Sequence, residues 1–566
     1  MDLSAIRKRL SPSHSSNQSS SISVSRIAAE KRLGFNGAGF LKSFGALLLI
    51  LPLLAAVSFV FRSPRSDRTL PFADARVLES KPPLIINSDS TGSLHDESTL
   101  KSLLDGLLIP GFNKSSCLSR YQSSSYRKPS PYKPSPHLLS KLRSYEHLHN
   151  RCGPNTKPYT EALNQLKSGS TAAPTDCNYL VWISFSGLGN RILTIASAFL
   201  YALLTNRVLL IDPGADLTDL LCEPFPEASW FLPNDFPLKK QFTTFTQKSP
   251  QCHGYMLKNN LYSSSETVPS YLYVHLVHDY NDQDKLFFCE QEQLILGKVP
   301  WVIMKTDNYF VPSLFLIPSL KDELSKLFPE KVALFHHLGR YLFHPTNQVW
   351  GLITRYYDSY LAKADERIGM QIRVFDTGDI AFPHVKDQIL KCAIQENLLP
   401  EFEPDETIPV SKSDKSKAVL LTSLKSGYYE TLKDLYWEHS AITGEVVSFF
   451  QPSHEEFQQS NKKNHNRKAL AEMYLLSLSD KLITSAWSTF GYVAQSLGGL
   501  KPWILTKAEN YTTPEPACVR AVSMEPCFHA PPFWDCKEKR GTDTGAILPH
   551  VRHCEDITWG LKLVDE

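Results

Sequence analysis

The stretch VWISFSGLGNRILTIASAFLYALLTNRVLLID, residues 181–212, constrains the fold more than any other part of the chain. An apolar, β-branched run ends in a turn with two glycines. The turn opens into a helix that is apolar almost all round, and a second apolar run follows. Strand, turn, helix and strand in that order make a βαβ unit, which implies a parallel sheet and a right-handed crossover. A helix without a polar face must lie buried against that sheet. Gly187 and Gly189 let backbone approach a ligand, and Asn190 and Arg191 follow at a helix N-terminus, where amides can hold a phosphate. A turn needed only for chain reversal is the other reading. The dinucleotide pattern fails, because Ile192 stands where G-x-G-x-x-G requires its third glycine. A nicotinamide cofactor is therefore not expected.

A second α/β region begins near Arg367. RIGMQIRVFD, KAVLLTS, EVVSFF, KLITS and PWIL read as strands, with helical stretches between them. The chain has 566 residues, more than one core holds. Two Rossmann-like halves facing a cleft are expected. Arg373 ends a strand at the edge where open α/β sheets bind ligands, and its planar fork suits a diphosphate. The alternative is a structural pair between Arg373 and Asp376. In ITSAWSTFGYVAQSLGG, Ser485, Ser488 and Thr489, with Phe490 and Gly491 behind them, offer hydroxyls and amides at a helix start. Capping explains one or two of these hydroxyls but not three. A net charge of +2 gives no bulk attraction to nucleic acid.

The run FGALLLILPLLAAVSFVF, residues 44–61, is uncharged, and as a helix it would be roughly 27 Å long. Basic residues before it, Arg7 to Lys42, place the N-terminus in the cytosol and the rest in a lumen. All 11 cysteines lie at or beyond Cys117, on the proposed lumenal side, and no pair has zinc spacing. Disulfides are expected, with at least one thiol left over. Sequons at Asn113 and Asn510 fit the same compartment. The strip YRKPSPYKPSPHLL, residues 126–139, is expected to lie extended on the folded body. Asp282 and Asp284 could bind a divalent cation, but their polar context favours a solvated loop. His336, His337 and His344 are expected to pack or to contact an acceptor rather than a metal.

Several long stretches carry a family resemblance. They are CLSRYQSSSYRKPSPYKPSP, VWISFSGLGNRIL, LVHDYNDQDKLFFCE, GKVPWVIMKTDNYFVPSL, LFHHLGRYLFHPTNQVW, TSAWSTFGYVAQSLGGLKPWIL and PHVRHCEDITWGLKLV. From Cys117 onward the chain closely resembles the plant xyloglucan fucosyltransferases, the galactoside 2-α-L-fucosyltransferases of the Golgi. The resemblance implies a GT-B type fold and GDP-β-L-fucose as donor. Galactosylated xyloglucan would be the acceptor, and the anomeric centre would invert. With Asp282 and Asp284 read as a loop, Arg373 and backbone amides would take the place of a cation, so no metal and no cofactor are expected. Where the wider group has H-x-R-R-x-D, this chain has Gln371, Arg373, Val374 and Asp376, so one phosphate-binding arginine remains. The donor set is then Gly187, Gly189, Asn190, Arg191, Arg373, Asp376, Ser485, Ser488, Thr489, Phe490 and Gly491. Asp307 is the candidate base, and Asp307 with His344 would meet the acceptor. The expected order is a tail (1–43), a single transmembrane anchor (44–61) in the Golgi membrane and a stem (62–110). An acceptor-side Rossmann-like domain (111–365), a donor-binding one (366–515) and a cysteine-rich segment (516–566) follow. A homodimer or a complex with other Golgi glycosyltransferases is a possible assembly. Transfer to arabinogalactan proteins and a non-catalytic glycan-binding role are the alternatives.

Overall fold

Two parallel sheets organise the computed structural model, which describes residues 103–109, 111–169, 177–261, 269–375, 382–403, 413–459, 462–508 and 511–565. The expected tail, the anchor, most of the stem, Asp376 and Asn510 lie outside the described residues. Among the described residues, no helix is long and apolar enough to cross a membrane.

The first sheet contains β1 (Asn178–Trp182), β2 (Arg207–Ile211), β3 (Tyr271–Leu276) and β4 (Trp301–Thr306). Their order is β2-β1-β4-β3, and every pairing is parallel. All five residues of β2 are buried, as expected of a strand covered on both faces. Helix α1 (Pro136–Cys152) packs beside this sheet, and α2 (Leu188–Leu204) is the β1-to-β2 crossover. Nearly every residue of α2 is buried, which explains its missing polar face. Proline does not keep the whole 126–139 strip extended. Ser135 caps the amide of Leu138, Pro136 takes the first helical position, and α1 starts inside the strip.

Helix α3 (Leu334–Leu342) leads toward the second sheet, which has the order β10-β9-β8-β5-β6-β7. Its strands are β5 (Glu366–Ile372), β6 (Ser416–Ser423), β7 (Val446–Phe450), β8 (Lys481–Ser485), β9 (Trp503–Leu505) and β10 (Cys518–Arg520). Only β10 runs antiparallel to its neighbour. Helix α4 (Lys463–Ser477) enters β8, and α5 (Thr489–Gly498) leaves it. Both pack against α2, so one apolar cluster runs from Leu180 and Ile192 through Leu475 and Val493. Both sheets belong to a single compact unit.

Five disulfides join Cys117 to Cys222, Cys152 to Cys177, Cys289 to Cys536, Cys392 to Cys518, and Cys527 to Cys554. Cys252 is left over and buried. Residues beyond 516, expected as a segment of their own, instead complete the second sheet through β10. They are fastened to Cys289 of the first half, and Phe528 and Leu561 join the shared core.

Candidate active site

In the second sheet the chain runs one way from β5 and the other way from β8, and in the first the β1 turn opens at the carboxyl edge beside β4. Loops diverge there and leave a crevice at the carboxyl ends of the strands. The two crevices meet in a cleft of about 370 Å³.

The β1 turn brings Ser186, Gly187, Gly189 and Asn190 to one wall. Arg373 from β5 and Ser488, Thr489 and Phe490 from the β8 turn stand on the same cleft. Two helix N-termini, those of α2 and α5, therefore converge on it, and the amide dipoles at both ends favour an anion. Asn190 ties the walls together. Its Oδ1 accepts from the Thr489 hydroxyl at 2.8 Å, and its Nδ2 donates to the Asp307 carbonyl at 3.0 Å. Ser186 and Trp487 hold positive φ angles of 70° and 61°, one in each turn. Such conformations cost about 1–3 kcal/mol in a non-glycine residue and persist only where neighbours enforce them. For Trp487 the enforcing group is Asp556, which accepts its main-chain N–H at 2.9 Å and its indole N–H at 2.5 Å.

The charges on the cleft wall suit a diphosphate. The Arg373 guanidinium donates to Gln458 Oε1 at 3.2 Å and lies over the exposed Phe375 ring, and burial lowers its pKa from the usual range. It has no carboxylate partner among the described residues, whereas Lys468 is already paired with Glu455. Burial pushes the Glu472 carboxyl up to about 7, and Ser453 donates to it at 2.5 Å. Gln371 Oε1 and Thr422 Oγ1 are buried on the cleft wall without partners. Buried polar atoms of that kind are satisfied by a polar ligand or by water.

A family model described as xyloglucan fucosyltransferase matches residues 81–537. The chain belongs to the xyloglucan fucosyltransferase family. This fucosyltransferase is 57% identical over 571 residues to a galactoside 2-alpha-L-fucosyltransferase of Arabidopsis thaliana, covering 100% of each chain. It is 59% identical to a Pisum sativum protein of the same name, over 92% of each chain. A solved structure of an Arabidopsis thaliana FUT1 mutant in complex with GDP has 63% identity and a TM-score of 0.78. That match covers 82% of this chain and all of the other.

Of the residues the fucosyltransferase sequence points to, Gly187, Gly189, Asn190, Arg373, Ser488, Thr489 and Phe490 line the cleft. Others do not. Arg191 turns inward to a buried two-pronged pair with Asp216, at 2.6 and 3.0 Å, and its side chain is not on the cleft lining. Ser485 accepts the Arg373 amide at 2.9 Å and braces β5 against β8. Gly189 is needed for packing: a Cβ there would lie 2.7 Å from Thr489 Oγ1 and 2.9 Å from its carbonyl carbon. Gly491 likewise faces Thr484, at 3.0 Å from an added Cβ. His344 is buried away from the cleft lining, and burial pushes its ring down to about 3. It packs in the core.

Asp307 follows β4 beside the cleft. Its carboxylate already accepts from the His278 amide at 2.9 Å and from Asn308 at 2.7 Å, and lies 2.6 Å from His278 Nδ1. Asp282 and Asp284 do not share a solvated loop. Asp282 is exposed and pairs with Lys285. Asp284 is buried and accepts the Asn281 amide and the Cys252 thiol. His336 and His337 are buried in α3. Sequence reasoning missed Gln458, Glu472, His529 and Asp556. The last two each stand two residues beyond a cysteine of the 527–554 disulfide, a signal that becomes legible only when the pairing is known.

Proposed function

We propose that this fucosyltransferase moves L-fucose from GDP-fucose to O2 of the terminal galactose in xyloglucan side chains, forming an α-1,2 linkage with inversion. The observation that carries the reading is Arg373, a cation without a carboxylate partner among the described residues, set between two converging helix N-termini. As the sugar leaves, charge collects on the β-phosphate of GDP. Fixed donors aimed at that position stabilise the transition state more than the ground state. The two sheets facing one cleft support a GT-B type arrangement, with the donor held mainly by the second sheet. The apolar run at 44–61 and the lumenal sequons support a single-pass Golgi membrane protein, with Asn113 and Asn510 glycosylated. Asn113 is exposed, and its Oδ1 accepts from the Ser115 hydroxyl of its own sequon at 2.7 Å.

The testing experiment offers GDP-fucose with two acceptors, galactosylated xyloglucan oligosaccharides and arabinogalactan protein. Transfer to the first is expected. Transfer only to the second would move the protein to that acceptor, and GDP-fucose turnover with neither acceptor would defeat the reading. No metal is proposed, since Arg373 and the amides supply the positive charge. Activity is accordingly expected to survive excess EDTA. Loss with EDTA and recovery with Mn²⁺ would point to a cation.

Asp307 is proposed to serve the acceptor side through His278, whose Nδ1 it holds. Asp307→Asn is expected to lower kcat on xyloglucan by about 10-fold, near the weak end of acid–base effects, with GDP affinity unchanged. Steady-state kinetics and GDP titration on the same preparation check this. A parallel loss of GDP affinity would place Asp307 in the donor site instead.

A further inference from the structure

One connected set of side chains reaches the cleft wall through His529 and has so far been given no chemical role. The His529 ring lines the cleft. Its Nε2 lies 3.2 Å from the Tyr492 hydroxyl, which lies 2.5 Å from Asp556 Oδ2. The protons can be assigned from donor capacity alone. A carboxylate only accepts, so Tyr492 gives its single hydroxyl proton to Asp556. The tyrosine oxygen can then only accept from the imidazole. Nε2 therefore carries the ring hydrogen, and in the neutral ring Nδ1 is a bare lone pair. Among the described residues nothing hydrogen-bonds Nδ1.

The ring is held from several sides. Trp559 donates to the His529 carbonyl at 3.0 Å, and Tyr280 donates to that of Ala530 at 2.6 Å. The Cys527–Cys554 disulfide fastens the segments bearing His529 and Asp556 to each other. Tyr492 is buried in α5, the helix whose N-terminus faces the cleft. Burial lowers His529 below its ordinary value, against the opposing charges of Asp556 and Asp307. A neutral imidazole with a fixed tautomer is the form a base needs.

We propose that His529 is a catalytic residue whose Nδ1 takes the proton of the acceptor hydroxyl, with Tyr492 and Asp556 as positioning residues. This rests on the reading of the cleft as the fucosyl-transfer site. The O–H bond of galactose O2 breaks and its proton passes to Nδ1. The O2 electron pair forms the bond to C1 of fucose. The bond from C1 to the β-phosphate oxygen breaks, and its electron pair leaves with GDP. Asp556, acting through Tyr492, stabilises the imidazolium until it returns its proton to water.

The test uses purified enzyme, GDP-fucose and a galactosylated xyloglucan oligosaccharide. His529→Ala is expected to lower kcat by about 10²–10³-fold, with GDP affinity changed by less than about twofold and added imidazole restoring part of the rate. Tyr492→Phe keeps the ring but removes the hydroxyl. It is expected to lower kcat by about 10-fold and to shift the acidic limb of the kcat–pH profile to lower pH, because the imidazolium loses the pull of Asp556. A tyrosine that only packs would leave that limb in place. A folded His529→Ala enzyme with kcat within about threefold of the parent overturns the proposal, and so does equal loss of kcat and GDP affinity without imidazole rescue. If His529→Ala does not fold, Tyr492→Phe decides, and an unmoved acidic limb overturns the proposal. An unsubstituted enzyme that transfers fucose to no acceptor defeats the reading of the cleft itself. An active parent with equally active variants defeats the relay alone.

Discussion

Arg373→Lys is expected to lower kcat by about 10²–10³-fold and to weaken GDP binding at the same time, the range found when a fixed transition-state donor is removed. Lysine keeps the positive charge but not the planar fork that meets two phosphate oxygens at once. The substitution should leave the fold intact. The main-chain N–H of Arg373, which donates to Ser485, is unaffected, and no described carboxylate is stranded by the loss of the guanidinium. Gln458 loses the Arg373 bond, but it lies at the exposed edge of the cleft, where water can replace that bond. Steady-state kinetics and GDP titration, with circular dichroism as the folding control, make the measurement. A lysine enzyme with ordinary kinetics would take Arg373 off the diphosphate.

Asp216→Ala is expected to cost about 3–5 kcal/mol of stability, the penalty of leaving a buried charge without its partner. Arg191 and Asp216 are both buried, and the carboxylate receives both guanidinium prongs. It also accepts from Asn466 of α4 at 2.5 Å, so it joins the first half of the chain to the second beneath the cleft. Removing it leaves the buried Arg191 cation uncompensated and removes one tie between the first half and α4. Denaturant titration with the disulfides intact should show the loss as a lower midpoint. Asp282→Ala, which removes an exposed pair with Lys285, is the control and should change stability by less than about 1 kcal/mol. If the two variants unfold alike, the Arg191–Asp216 pair contributes nothing special.

Every strand of the two sheets except β10 was legible because each is a short apolar run closed by a turn, and that signal lies within a few consecutive residues. The glycine turn at 187–189 and the hydroxyl turn at 485–489 were found for the same reason. The task of each residue within those turns was not legible. Gly189 looks like a residue that makes room for a ligand, yet the room is taken by the backbone of Thr489, about 300 positions away. Arg191 looks like a phosphate ligand until Asp216 is placed beside it. Ser485 looks like one more free hydroxyl until β5 is laid against β8. Periodicity shows which face of an element is buried, but not which neighbour covers it. His529 and Asp556 were missed on the same ground: they meet at the cleft only because a disulfide and Tyr492 bring distant segments together.

The path of the chain through the cleft also imposes a schedule. A ribosome makes the β1 turn first, then β5 with Arg373, then the β8 turn. By then the first sheet and strands β5 to β8 of the second have been made, whereas β9, β10, His529 and Asp556 have still to follow. The last segment must thread back, join Cys536 to Cys289, and lay Asp556 under Trp487. Order in the β8 turn thus arrives as a final act of assembly, because Trp487 has nothing to hold it until Asp556 is made.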